Sequence, residues 1–337
     1  MHTARKRPTI RDVAAEAGVS RGTVSRVLNG GHWVSPDALE AVNDAIERTG
    51  YRVNSHARSL ATKRTGSVAF LLTEPPERLF EDPNFSTLLR GVTQALDAHD
   101  VSLVVLLAGT DAEMRRADDY LRQGHVDGVL LVSWHATGAD ILDDLVDAGV
   151  PVIACGAPIG HENRIGWVSA DDAEGAREVV RFLRGLGRRR IATIAGPADT
   201  PGGLQRLAGY RDELGEGFDE ALVARGDYSR ASGAASMREL LAREPACDAV
   251  FAANDLMAAG ALDVLAERGI RVPEEVAVVG FDDAPVASQV EPRLTTMHQP
   301  FDQISARMVH LLLQMIDDGD PPAPSILPTR LVRRDSA

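Results

Sequence analysis

Residues 18–22 read Gly-Val-Ser-Arg-Gly, the G-x-S-x-G pattern in which a serine on a sharp strand-to-helix turn attacks an acyl carbon. That chemistry needs a strand before Ser20, a helix after it and a positioned histidine. The surrounding residues supply a different frame. Thr9 and Asp12 have the spacing of a capping box. Ile10, Val13, Ala14 and Ala17 repeat at helical spacing, and Gly18 suits a helix stop. Ser20 then becomes the N-cap of a second helix, with Val24, Val27 and Leu28 as its apolar stripe. Two short helices joined at a glycine describe a helix-turn-helix, so the nucleophile reading fails on context. A third helix begins after Ser35 with Pro36 as its first residue; it buries Leu39, Val42 and Ile46 and stops at Gly50.

On the second helix, Gly22, Ser25, Arg26 and Asn29 lie opposite the Val/Leu stripe, with Arg21 beside them. A merely solvated face usually mixes acids with bases, yet Ser20–Gly30 contains no acid. Arginine can pair bidentately with the guanine edge in the major groove. Thr23, Ser25 and the helix N-terminus can hold phosphates. The charge distribution agrees. The chain of 337 residues carries a net charge of −13, but residues 1–66 hold 11 Lys and Arg against 6 Asp and Glu. A basic head on an acidic body points to a polyanion-binding module joined to something that is not one.

Other chemistries find little support. No G-x-G-x-x-G follows a strand, and there is no P-loop pattern and no HExxH. The 9 histidines are scattered. The Asp pairs at 118–119, 143–144 and 317–318 sit in or beside polar helical stretches. Cys155 and Cys247 lie far apart, as reduced thiols of a cytoplasmic protein would. The basic start is followed by no apolar stretch, so neither a signal peptide nor a membrane span is expected. No catalytic residue, metal or cofactor is expected.

From Ser67 onward, apolar runs alternate with amphipathic helical stretches. The runs are 67–72, 102–107, 128–133, 151–155, 190–196, 249–254 and 275–281. Short continuous apolar runs of this kind form parallel sheets covered on both faces. They fall into two series, which gives two doubly wound subdomains with a cleft beyond their strand ends. Trp134, Arg206, Asn254-Asp255 and Asp282-Asp283 fall at such ends. Helix capping accounts for many Asn and Asp residues there, and Asp255 is read that way.

TIRDVAAEAGVSRGTVSRVLNG, followed by VSPDALEAVNDAIERTGYRVNSHARSLATKRTGSVAF, closely resembles the head of LacI/GalR-family repressors. LQRLAGY, AANDLMAAGAL, VVGFDDAP and LTTMHQPFDQISARMVHLLL extend the resemblance over nearly the whole chain. It implies a small all-α helix-turn-helix head plus an α/β core of two parallel-sheet subdomains of the periplasmic-binding-protein type. The expected boundaries are 1–52 for the head and 53–66 for a hinge helix. The first subdomain takes 67–169 and 300–321, the second 170–299 and 322–337, with a last strand near Ser325–Val332.

The resemblance also implies roles. Arg21 and Gly22 match variable base readers, though Gly22 offers no side chain, and Arg26 matches the common guanine reader. The expected DNA set is Thr9, Ser20, Arg21, Gly22, Thr23, Ser25, Arg26 and Asn29, with Asn54, Ala57 and Leu60 from the hinge. Leu60 matches the apolar wedge that enters the minor groove, and Val53 stands where a proline is often found. Arg206, Asn254 and Asp282 would hydrogen-bond a polar effector. Phe85, Trp134 and Trp167 are candidates for stacking on a sugar ring, or else for core. The family mostly senses sugars, and some members sense purines. VDGVLLVSWH and RRRIATIAGPAD look most like repressors of oligosaccharide use in actinobacteria, cellobiose-sensing ones included. The expectation is a cytoplasmic, nucleoid-associated homodimer released from a near-palindromic operator by a small carbohydrate, possessing no enzymatic activity. The rivals are a corepressor or purine effector on the same fold, and a solute-binding protein without DNA function.

Overall fold

The structure, a computed structural model, describes residues 8–28, 33–51, 64–136 and 140–337. The chain divides into two compact units, residues 1–65 and 66–337. Among the described residues no helix is long and apolar enough to cross a membrane.

The first unit packs α1 (Ile10–Glu16), α2 (Arg21–Leu28) and α3 (Pro36–Thr49) around Val13, Val24, Val42 and Ala45, all fully buried. Local chemistry sets each start and stop. The Asp12 carboxylate accepts from the Thr9 N–H at 2.7 Å and its hydroxyl at 2.8 Å. Ser20 Oγ accepts from Thr23 N–H at 3.1 Å, and Ser35 caps α3 by accepting from Ala38 N–H. Gly50 ends α3 at φ 64°, a left-handed conformation that costs glycine little. One expectation is corrected. Leu39 is 41% exposed, because α3 has 14 residues against 7 and 8 in its partners and its first turn overhangs them. Ala45 takes the buried position instead. Of the hinge expected over 53–66, residues 53–63 lie outside the described residues, and Arg64–Gly66 form no helix.

The second unit has two layers. The first contains β1 (Ser67–Leu72), α4 (Pro76–Glu81), α5 (Pro83–Asp97), β2 (Ser102–Leu107), α6 (Asp111–Arg122), β3 (Val129–Val132), α7 (Asp140–Asp147), β4 (Val152–Cys155) and β5 (Gly166–Ala170). The second contains α8 (Asp172–Gly185), β6 (Ile191–Ala195), α9 (Pro201–Leu214), β7 (Val223–Arg225), α10 (Arg230–Arg243), β8 (Ala249–Ala252), α11 (Asp255–Glu267), β9 (Ala277–Asp282) and β10 (Thr295–His298). The chain then returns through α12 (Phe301–Asp318) and ends in β11 (Ser325–Leu327) and β12 (Arg330–Val332). The sheet orders are β11-β5-β4-β3-β1-β2 and β12-β10-β9-β8-β6-β7. All pairings are parallel except β12 with β10. Each sheet carries a buried apolar cluster on both faces, which is why its central strands read as unbroken apolar runs.

The chain crosses between layers near Asp171, at Gln299–Pro300 and at Pro328–Thr329. α12 returns to the first layer and buries Ile304, Met308 and Leu312 with Leu88 and Val92 of α5. Gly91 permits this approach, since a Cβ there would lie 2.7 Å from Ser305 Cβ. The single last strand expected near Ser325–Val332, in the second subdomain, is corrected. Ser325–Leu327 pairs with β5 in the first sheet, and only Arg330–Val332 joins the second. Pro328, with no N–H to offer a ladder, separates the two.

Candidate functional site

The head presents one exposed face on α2. Val24 faces inward at 0% exposure, which turns Arg21, Gly22 and Arg26 outward to solvent. Ser25 and Thr23 are half-buried beside them. Arg26 Nε donates to Gly22 O at 3.2 Å, so its guanidinium lies back along the helix over the position that has no side chain. Ser20 Oγ caps the helix and contacts Thr23 Oγ1 at 2.9 Å. It follows helix α1 rather than a strand, so the elbow geometry is absent. Thr9 is exposed at the start of α1. Asn29, Asn54, Ala57 and Leu60 lie outside the described residues.

In the second unit, the strand ends of both layers enclose a cavity of about 150 Å³, bounded by Glu74, Arg78, Asp82, Asn84, Phe85, Ser133, Trp134, Cys155, Asp172, Thr200, Arg206, Tyr228, Asn254, Asp282 and Gln299, among others. Its charged groups are tied together. Arg206 on α9 donates from Nε to Asp172 at 2.8 Å and from Nη1 to Ala253 O at 2.5 Å. It lies 3.5 Å from Asp282 and stacks over Phe281 at 4.0 Å. Burial alone would weaken its charge, but Asp172 and Asp282 outweigh that and hold the guanidinium protonated. Asp282 accepts from Asn84 Nδ2 at 2.6 Å and Gln299 Nε2 at 2.5 Å. Burial pushes its carboxyl above the usual range, while Arg206 and these amides pull it back. Burial also raises Asp82, and lifts the Cys155 thiol to about 12, which leaves that sulfur neutral.

Backbone strain gathers here. Five described non-glycine residues have positive φ, and three of them, Ser133 (57°), Tyr228 (70°) and Asp282 (115°), line the cavity. Such conformations persist where surrounding contacts impose them, commonly at binding sites.

Among the described residues three side-chain contacts join the layers across the cavity, beside a backbone bond from Ala136 N–H to Asp199 O at 2.9 Å. Asn84 meets Asp282 as above, and Arg78 Nη2 donates to Asp227 O at 3.0 Å. His135 bridges Glu74 (Nε2–Oε1, 2.9 Å) and Asp199 (Nδ1–Oδ2, 3.0 Å). The hydrogen bond to Glu74, opposed by burial and helped by Asp199, lifts the His135 pKa to about 8. Burial would raise Glu74, but bonds from His135 and Ser133 more than compensate and leave its carboxyl below the usual range. Among the described residues no group of three His, Cys, Asp or Glu is arranged to hold a metal.

The expected effector residues separate. Phe85, Trp134, Arg206, Asn254 and Asp282 all line the cavity. Trp134 is 1% exposed, so its ring offers no open face, and its buried indole N–H has no hydrogen-bond partner among the described residues. Asn254 spends both ends of its amide: Oδ1 caps α11 by accepting from Met257 N–H, and Nδ2 donates to Tyr228 O. Capping, expected of Asp255, therefore falls to Asn254. Asp255 is instead buried, accepting from Ala284 N–H and the Thr296 hydroxyl. Trp167 lies outside the cavity, on the core side of its two readings. It packs half-buried against the cluster containing Ile141, Leu145 and Ile165 and donates to Glu162 O. The cavity begins only at Ser169 and Ala170, nearer the end of β5. Glu74, Asn84, His135 and Gln299 were not anticipated, because they lie in loops or at helix starts with no local pattern.

Two family models match the chain: bacterial regulatory proteins of the lacI family over residues 9–54, and a periplasmic binding protein-like domain over 180–337. The HTH-type transcriptional regulator CelR of Thermobifida fusca is 45% identical, over 98% of this chain and 99% of its own. A solved CelR–cellobiose complex matches with a TM-score of 0.79 at 43% identity, covering 98% of this chain and all of that one. The lac repressor dimer bound to operator and the anti-inducer ONPF matches with a TM-score of 0.85 at 28% identity, over 98% and 99% of the two chains. By the family model over its first helices and by a relative 45% identical over nearly its whole length, the chain belongs to the lacI family of bacterial regulatory proteins.

Proposed function

We propose that this protein is a homodimeric transcriptional repressor that leaves a near-palindromic operator when its cleft takes up a neutral oligosaccharide, cellobiose being the leading candidate. It would act in the cytoplasm, on the chromosome. The observation that carries the effector class is the charge of the cavity. Among the described residues that line it, Glu74, Asp82, Asp172 and Asp282 stand against Arg78 and Arg206; Glu74 is also bonded to His135, and Arg206 already sits against two carboxylates. Such a lining offers acceptors to hydroxyls and repels phosphorylated or carboxylated sugars. The match to CelR, whose complex holds cellobiose, supports the same choice. Arg206 and Asp282 would hold hydroxyls, Phe85 would stack, and Ser20, Arg21, Thr23, Ser25 and Arg26 would hold the DNA.

Gel shifts with genomic fragments, repeated with glucose, cellobiose and a phosphorylated sugar, test the reading. Cellobiose should release a retarded fragment and the phosphorylated sugar should not. No retardation at low salt would reject the repressor; retardation tightened by the sugar would make it a corepressor-dependent regulator instead.

A further inference from the structure

A second cavity, about 310 Å³, adjoins the first and lies wholly within the first layer. It opens beyond the carboxyl ends of the neighbouring strands β3, β1 and β2, walled by Thr73 and Glu74 after β1, Gly109 and Thr110 after β2, Met114 on α6, and His135 after β3. Ligands of parallel sheets sit in this position. The two cavities meet at Glu74 and Trp134, which line both.

That shared boundary is chemically specific. The Trp134 indole N–H is buried and has no partner among the described residues, a state that is unfavourable unless a bound group supplies an acceptor. Glu74 takes its bonds from Ser133 and His135 on Oε1, and Oε2 accepts none within the described residues. One waiting donor and one waiting acceptor, the acceptor on a carboxylate, fit a group that both donates and accepts and carries no negative charge: a hydroxyl.

We infer that the second cavity is the subsite for a further, uncharged sugar ring of a linear oligosaccharide, with Trp134 and Glu74 holding a hydroxyl near the glycosidic link. This rests on the sugar reading above. The first ring touches both layers and so bears on closure. The second touches one layer, where it adds affinity and selects for chain length.

Calorimetry on the full chain with glucose and cellobiose separates the possibilities. Cellobiose should bind at least tenfold more tightly than glucose. Met114→Trp, which fills the second cavity, should reduce that preference at least tenfold. Asp111→Tyr at the exposed rim should narrow it in the same direction without touching the core. Trp134→Phe, which keeps the ring but removes the N–H, should weaken cellobiose several-fold. Equal affinity of the two sugars, or variants that leave the preference intact, would overturn the subsite while sparing the sugar reading. Silence with both sugars would defeat the sugar reading and the subsite with it.

Discussion

Arg26 rests on the backbone of Gly22, a position that supplies no side chain of its own. The proposed DNA-reading face of α2 therefore depends on very few groups, and Arg21 and Arg26 are the two long enough to span a guanine edge. Arg26→Ala should cost roughly 1–3 kcal/mol and relax discrimination at one base pair of each half-site. Binding measured over an operator library checks this; a uniform loss across all sequences would make Arg26 a phosphate contact. In the cleft, Asp282→Asn keeps the shape but removes the charge beside Arg206. It should weaken sugar binding at least tenfold and leave operator affinity within about twofold, since the residue lies in the other unit. Operator loss with normal sugar binding would contradict the assignment.

At the scale of elements, the His135 bridge joins the loop after β3 to the loop after β6, which carries Asp199, and so ties the layers together. Its side chain is 28% exposed, so part of the interaction is screened. The folded pKa near 8 stands above the ordinary 6.5. A raised histidine pKa means that the folded state holds the proton more tightly. The stabilisation is complete below about pH 6.5 and is lost as pH rises through 8; its size is about 1–2 kcal/mol. The thermal midpoint should therefore fall between pH 6.5 and 8.5, and His135→Gln should flatten that slope. An unchanged slope in the variant would assign the dependence to other groups. The bridge also marks how far a sequence can be read. Helices α1–α3 were legible because Thr9, Ser20, Ser35 and Gly50 act on neighbours three or four residues away. β1, β3, β4, β6, β8 and β9 were legible as buried apolar runs. β5, β7, β10, β11 and β12 have three to five residues each, several polar, and owe their form to pairing with a distant strand. Asp282 stood out at a strand end and Arg206 through the family resemblance, though it lies within α9, whereas the Glu74–His135–Asp199 bridge depends on loops that only the topology brings together.

At the scale of the molecule, the two activities must be coupled for the protein to regulate anything. Basic residues concentrate in the head, so binding should release counterions: a dimer neutralising six or more phosphates loses roughly 10³-fold in affinity between 50 and 200 mM salt. Coupling must therefore be measured at one fixed salt. A sugar can dislodge the protein from DNA only by binding the DNA-incompetent arrangement more tightly. The layer-to-layer contacts of Asn84, Arg78 and His135 are the groups whose making and breaking could distinguish two arrangements of the cleft. A coupling of 1–3 kcal/mol corresponds to about 5–150-fold. Reciprocity then fixes a second number: operator DNA must weaken sugar binding by the factor with which sugar weakens operator binding. Titrating cellobiose into free and operator-bound protein, and operator into free and sugar-saturated protein, should yield matching factors greater than one. Asn84→Ala, which removes a tie across the cleft, should change both factors together. Sugar affinity indifferent to bound operator would show that the cleft does not govern the head, and the regulatory reading would fail even if each unit binds its own ligand.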